Sequence, residues 1–81
     1  MKVTLFGAPW CAFCQTEKQW LDSKGVEYEY HDVEEDESAL QYVKDVTGAS
    51  SIPLTIVQTD DNDVHVIRGF QRQELSTRIG L

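Results

Sequence analysis

The spacing of apolar positions changes several times along the chain, and each change marks an element. Lys2-Val3-Thr4-Leu5-Phe6 is a short apolar run ending at Gly7, which predicts a buried β-strand. From Cys11 to Lys24 the spacing is helical. Phe13, Trp20 and Leu21 form an i, i+7, i+8 stripe for an inner face, with Glu17 and Lys18 on the polar side and Gly25 as the expected stop. Val26-Glu27-Tyr28-Glu29-Tyr30 alternates, as a half-buried strand should. A second helix runs from Glu37 to Val46, directs Leu40, Val43 and Val46 inward, and ends at Gly48. Ala49 to Pro53 reads as a loop and Leu54 to Gln58 as a strand. Asp60-Asp61-Asn62-Asp63 is turn chemistry that joins this strand to Val64–Arg68 as a hairpin. Gly69-Phe70 breaks the pattern, and a last helix, Gln71 to Ile79, closes on Leu75 and Ile79.

The resulting order, βαβαββα, is an α/β fold. The first two strands, joined through a helix, are expected to be parallel with a right-handed crossover. The hairpin adds two antiparallel strands, and three helices suffice to cover both faces of a four-stranded mixed sheet. Residues 1–81 make one domain, whose size buries somewhat over ~60% of the unfolded surface. Hydrophobic residues make up 41%, with aromatics spread along the chain, so a folded core is expected rather than disorder. The apolar runs are too short for a membrane span. No stretch resembles a signal or transit peptide, which makes the cytoplasm the expected compartment.

The formal net charge of −7 argues against nucleic acid and anionic membrane surfaces as partners. Glu27, Glu29, Asp32, Glu34, Glu35, Asp36 and Glu37 form one acidic stretch, and Asp60, Asp61 and Asp63 another. Solvated loops and edges account for them. Steering towards a basic partner surface is the second reading, and salt dependence of turnover separates the two. No glycine-rich phosphate loop is present, so no nucleotide cofactor is expected, and a monomer is the simplest state.

The two cysteines lie in Trp10-Cys11-Ala12-Phe13-Cys14, after the first strand and at the start of the first helix. A structural disulfide across this short loop contributes only roughly 2 kcal/mol, against about 4.5 for a loop spanning most of the chain. Zinc takes about four ligands, and His31 and His65 are isolated from each other. Dithiol–disulfide exchange is the chemistry this spacing favours, with metal or structural roles as alternatives.

The first N–H groups of a helix are unpartnered and partly positive. Pro9-Trp10-Cys11 offers no Ser, Thr, Asp or Asn as a cap. The Cys11 sulfur is therefore expected to accept from the N–H groups of Phe13 and Cys14, which lowers its pKa from ~8.5 towards ~7. Cys11 is the attacking thiol. Cys14, one turn further in, resolves the mixed disulfide. Trp10 and Phe13 flank the thiols and read either as local packing or as an apolar rim for a protein partner. His31, His65 and Lys18 read as ordinary exposed side chains.

The element order, with the cysteine pair after the first strand and Ile52-Pro53 ahead of the third, resembles the thioredoxin fold. The chain's size and lack of extra elements resemble the glutaredoxin family. The resemblance implies a cis proline at Pro53 facing the dithiol, and an Ile52 backbone that pairs with an extended substrate segment. Glutaredoxins hold glutathione with a basic residue ahead of the cysteines, a Gly-Gly turn after the fourth strand and acidic residues beyond it. Here those positions fall on Gly7, on Gly69-Phe70, and on Gln71, Arg72 or Gln73. Glutathione binding is thus expected to be weak or absent.

The Gly69-Phe70-Gln71 turn is instead similar to that of the NrdH-type redoxins. These are reduced by thioredoxin reductase and supply ribonucleotide reductase. Their fuller pattern, Trp-Ser before the turn and Pro with an acidic residue after it, is met only in part by Ile67-Arg68 and Arg72-Gln73-Glu74. By this resemblance Phe70 sits beside the dithiol, and Ile52, Pro53, Gly69, Phe70, Trp10 and Phe13 shape the docking surface. The chain is expected to be a protein-disulfide reductase. Its Cys11–Cys14 disulfide is its only redox group, and its electrons come from NADPH through a flavin reductase. A glutathione-dependent glutaredoxin and a non-enzymatic metal or iron–sulfur carrier are the rival readings.

Overall fold

Each strand alternates its side chains between two faces of one sheet, and the helices sort themselves by which face they cover. The computed structural model describes residues 1–81. Its elements are β1 (Lys2–Gly7), α1 (Ala12–Ser23), β2 (Glu29–Asp32), α2 (Glu37–Thr47), β3 (Leu54–Gln58), β4 (Val64–Arg68) and α3 (Arg72–Ile79). The strand order is β2-β1-β3-β4, with β2 parallel to β1 and the other neighbours antiparallel. This is the expected α/β arrangement of a four-stranded mixed sheet with three helices.

Register places Tyr30, Leu5, Thr55 and Ile67 side by side across the sheet. Directly opposed residues share a face. This face carries Val57 and Ile67 against Leu75 of α3, with Trp20 of α1 packed on them. The neighbouring row, His31, Phe6, Leu54 and Arg68, points the other way. There Phe6, Leu54 and Ile56 pack with Ala39 and Val43 of α2. The Phe6 ring stacks on His31 at 5.3 Å and on Tyr42 at 5.1 Å.

Local signals set most boundaries. Asp36 caps α2 by accepting from Ser38 N at 2.9 Å and Ala39 N at 3.3 Å. Gly48, at φ 76°, ends α2 where the sequence predicted. Ala39 joins Val43 as a buried α2 residue, and Leu40 and Val46 pack on the same cluster.

Two expectations need correction. β2 begins at Glu29 rather than Val26. Residues ahead of it are tied to the end of α1 instead: Gly25 N donates to Asp22 O and Val26 N to Leu21 O, both at 3.1 Å. The Tyr28 hydroxyl donates to Asp22 Oδ1 at 2.9 Å. Strand pairing with β1 therefore starts at Thr4–Glu29.

The buried stripe of α1 is also rotated from the predicted one. Phe13 is 68% exposed and Trp20 only half-buried, while Cys14, Glu17 and Leu21 are fully buried. The stripe runs i, i+3, i+7 from Cys14, about 100° round the helix from Phe13. Two tertiary contacts fix this rotation. Cys14 packs against Gly7 at the end of β1, and Glu17 accepts a hydrogen bond from Thr55 of β3.

Candidate active site

The chain leaves β1 at Gly7 and turns through Ala8, Pro9 and Trp10. Cys11 N closes the turn on Ala8 O at 3.1 Å, and Gln15 Nε2 donates to the same carbonyl at 3.1 Å. Cys11 is the N-cap of α1, in extended conformation at φ −88° and ψ 107°. Its sulfur accepts from Cys14 N at 3.3 Å. The expected second donation, from Phe13 N, is not made: the sulfur reaches only the third amide of the helix.

Cys11 and Cys14 form a disulfide with their Cα atoms 5.2 Å apart. Cys11 is 9% exposed and Cys14 is 0% exposed. Solvent and partners therefore meet Cys11 first. A thiolate formed there lies at the positive end of α1, where a negative charge is stabilised. Cys14 is shielded behind it.

The other predicted site residues fall in two places. Ile52–Pro53 is a cis peptide, Pro53 is buried, and Ile52 packs against the cluster that contains both cysteines. Gly69 N donates to Pro53 O at 2.8 Å, which ties the Gly69-Phe70 turn to the proline loop. Phe70 itself packs in a different hydrophobic cluster from the one that holds the cysteines. Its ring meets Trp20 edge-on at 5.9 Å, within the cluster of Val57, Ile67 and Leu75. The expected place for Phe70 beside the dithiol is thus corrected, because α1 and α3 offer it an apolar seat.

Trp10 and Phe13 stand out from the surface, 66% and 68% exposed. Trp10 Nε1 donates to Glu34 Oε1. Beside it opens a groove of about 670 Å³ whose apolar lining is Trp10, Val33, Leu40 and Ile52. Glu34, Glu35 and Glu37 supply its charge, and no basic side chain lines it.

The sequence reading misses the part of two polar side chains, Glu17 and Tyr30, and takes a third, Lys18, as solvated. Glu17 is fully buried, and burial pushes its carboxyl up to about 7, partly opposed by the Thr55 hydrogen bond. Tyr30 brings its hydroxyl against the space at Gly7 that Cys14 also fills. Lys18 places Nζ 4.2 Å from the centre of the Tyr30 ring. The signal for Glu17 was present in the sequence, since it shares the i, i+3, i+7 face of Cys14 and Leu21. No group of three or more His, Cys, Asp or Glu side chains is placed so that it could hold a metal ion. No helix is long and apolar enough to cross a membrane.

Comparison with known proteins follows the same lines. A family model described as Glutaredoxin matches residues 3–61, from β1 to the hairpin turn. The chain is 39% identical over 54 residues to Gene 56 protein of Mycobacterium phage D29, covering 67% of this chain and 60% of that protein. It thus spans less than two thirds of that relative's length. It is 36% identical over 58 residues to mycoredoxin 1 of Corynebacterium glutamicum, covering 72% of this chain and 71% of that one. The glutaredoxin of Methanosarcina mazei Go1 superposes with a TM-score of 0.77 at 28% identity, over 99% of this chain and 79% of that one.

Proposed function

This chain belongs to the glutaredoxin family, and from that premise we propose that it is a dithiol redoxin which passes electrons to protein disulfides rather than a glutathione-dependent carrier. Its fold is thioredoxin-like and its Cys11–Cys14 pair is that of a thiol–disulfide oxidoreductase. In the forward reaction the Cys11 thiolate attacks a disulfide sulfur of the partner and forms a mixed disulfide. Cys14 then attacks Cys11, the partner leaves reduced, and the Cys11–Cys14 bond is restored.

One observation carries the choice of substrate. The groove beside the dithiol is lined by Glu34, Glu35 and Glu37 and by no base, and Gly7 and Ala8, which lead into the site, are uncharged. Glutathione carries two carboxylates and one ammonium, so this groove repels it on balance. An acidic, half-apolar groove under the exposed Trp10 suits a protein surface better.

The electron path belongs to the same reading: NADPH through a flavin thioredoxin reductase to Cys11, then to ribonucleotide reductase or another disulfide protein, in the cytoplasm and as a monomer. The Gly69-Phe70-Gln71 turn supports it, hydrogen-bonded as it is to Pro53 next to Ile52. A coupled assay tests the proposal. Disulfide reduction is expected with NADPH and thioredoxin reductase, and little with NADPH, glutathione and glutathione reductase. Activity confined to the second mixture overturns it.

A further inference from the structure

Opening the Cys11–Cys14 bond leaves an electron pair on one sulfur. A reducing thiolate that attacks the more accessible Cys11 leaves it on Cys14, which is 0% exposed. A buried anion without a donor is costly. The side chains around Cys14 decide where that donor comes from.

On α1, one N–H of the Gln15 amide is given to Ala8 O, and the same amide acts as a donor to the Tyr30 oxygen. The Glu17 carboxyl accepts from Thr55 through Oε2 and keeps Oε1 unpartnered, so Glu17→Gln is the control for a carboxyl donor, and Lys18 sits over the Tyr30 ring with Nζ 4.2 Å from its centre. On β2, the Tyr28 hydroxyl ahead of the strand is given to Asp22, and Asp32 is a further anion. On β1, Gly7 has no side chain, and Thr55 of β3 is spent on Glu17. Tyr30 remains. Its hydroxyl is buried and makes no hydrogen bond of regular geometry; the Gln15 amide acts on its oxygen as a donor, which leaves the phenolic proton uncommitted. A Cβ placed on Gly7 would lie 3.0 Å from Cys14 Sγ and 3.2 Å from the Tyr30 hydroxyl oxygen, so sulfur and oxygen crowd the same point.

We infer that the Tyr30 hydroxyl is the hydrogen-bond donor that holds the Cys14 thiolate while the Cys11–Cys14 bond is open. In the reductive step the S–S bond breaks, Cys11 forms a new disulfide with the attacking thiol, and the electron pair goes to Cys14. Tyr30 keeps its proton and shares it with that sulfur. In the resolving step the same bond keeps Cys14 ionised, so that it attacks Cys11 and the partner's thiolate leaves. Burial, and then the charge of Asp32, raises the Tyr30 pKa above its ordinary value of 10.0, partly opposed by the Gln15 side chain, so the phenol remains a donor at working pH. Lys18 over the ring draws electron density from the same group.

The inference rests on the thiol–disulfide reading, and its main test needs no substrate. Titrate the Cys14 thiolate by ultraviolet absorbance in Cys11→Ser and in Cys11→Ser/Tyr30→Phe. Tyr30→Phe keeps the ring and is expected to raise the Cys14 midpoint by about one pH unit, which corresponds to about tenfold. With both cysteines present, Tyr30→Phe is expected to slow resolution of a mixed disulfide about tenfold at neutral pH. The deficit should close at high pH. In a Cys14→Ser background, Cys11 alkylation is expected to be unaffected by Tyr30→Phe. Should Tyr30→Phe not fold, fluorotyrosine placed at position 30 makes the phenol a stronger donor and is expected to lower the Cys14 midpoint. Equal Cys14 midpoints with and without the hydroxyl, or an equal shift at Cys11, would overturn the assignment. Failure of Cys14→Ser to trap any mixed disulfide would instead count against the reaction itself.

Discussion

The Thr55 hydroxyl donates to Oε2 of Glu17, a polar link between β3 and α1 with both residues fully buried. The second carboxyl oxygen of Glu17 has no partner. One hydrogen bond does not offset the loss of water around a carboxylate, and burial raises its pKa from 4.5 to about 7.

This shift fixes a pH dependence of stability. Below pH 4.5 Glu17 is protonated in both the folded and the unfolded chain, and its full contribution is present. As pH rises from 4.5 to about 7 the unfolded chain releases the proton while the folded one retains it, so stability falls. Above about 7 the loss is complete. A shift of this size is worth ~3 kcal/mol. Denaturant unfolding across this range is expected to show the fall in the parent and not in Glu17→Gln. The difference between the two proteins removes the general repulsion of an acidic chain. A difference that stays flat with pH would falsify the assignment.

Gly7 is required by close approach rather than by backbone angle. A Cβ there would lie 2.9 Å from Cys14 Cβ, closer than real Cβ contacts come. Cys14 Cβ is not a flexible tip, since Cys14 is held in α1. Gly7→Ala is expected to destabilise by about 1–3 kcal/mol through overpacking, measured by urea unfolding of the oxidised protein. Wild-type stability in Gly7→Ala would mean that α1 shifts freely from β1.

What the sequence disclosed, and what it withheld, follows how far each determinant lies along the chain. Gly48 ends α2 where it should because a left-handed cap is a local demand. Cys11 caps α1 because no better cap precedes it. The hairpin turn at residues 60–63 is likewise local. The sequence pattern puts Glu17 on the polar side because charge is normally solvated, and the residue that engages it, Thr55, is 38 residues away. Its apolar character points Phe13 inward, yet the rotation of α1 is set by Gly7 and Thr55. The start of β2 moved because Gly25 and Val26 spend their N–H groups closing α1. Phe70 went to Trp20, a partner on another helix that no local pattern names. The dithiol itself was fully legible, being a matter of spacing and element order.

The unequal exposure of the two sulfurs separates their roles. In reduced protein, Cys11 is expected to alkylate faster than Cys14 at neutral pH, with a midpoint below the ~8.5 of a free thiol. Cys14→Ser should accumulate a mixed disulfide at Cys11 with a partner protein, and Cys11→Ser should accumulate none. Mass spectrometry of the trapped species reads the outcome. Faster alkylation at Cys14 would reverse the two roles.

The acid beside the dithiol gives the last expectation. Glu34, Glu35 and Glu37 line one groove with Trp10, and Glu34 accepts from the Trp10 ring nitrogen, so the charge is fixed next to the exposed aromatic rather than spread over a loop. A disulfide flanked by Lys or Arg approaches this surface down a favourable potential, and one flanked by Glu or Asp approaches against it. The Debye length is about 10 Å at 0.1 M salt, so exposed carboxylates act at short range and lose most of their effect as salt rises. Peptide disulfides differing only in flanking charge are therefore expected to be reduced at different rates, the basic one faster, with the gap narrowing from low to high ionic strength. Glu34→Gln/Glu35→Gln/Glu37→Gln should remove most of that gap while leaving Cys11 alkylation by a neutral reagent unchanged. If the triple variant keeps both the preference and its salt dependence, the selecting charge lies elsewhere on the chain, and this acid serves only to solvate the turn before α2.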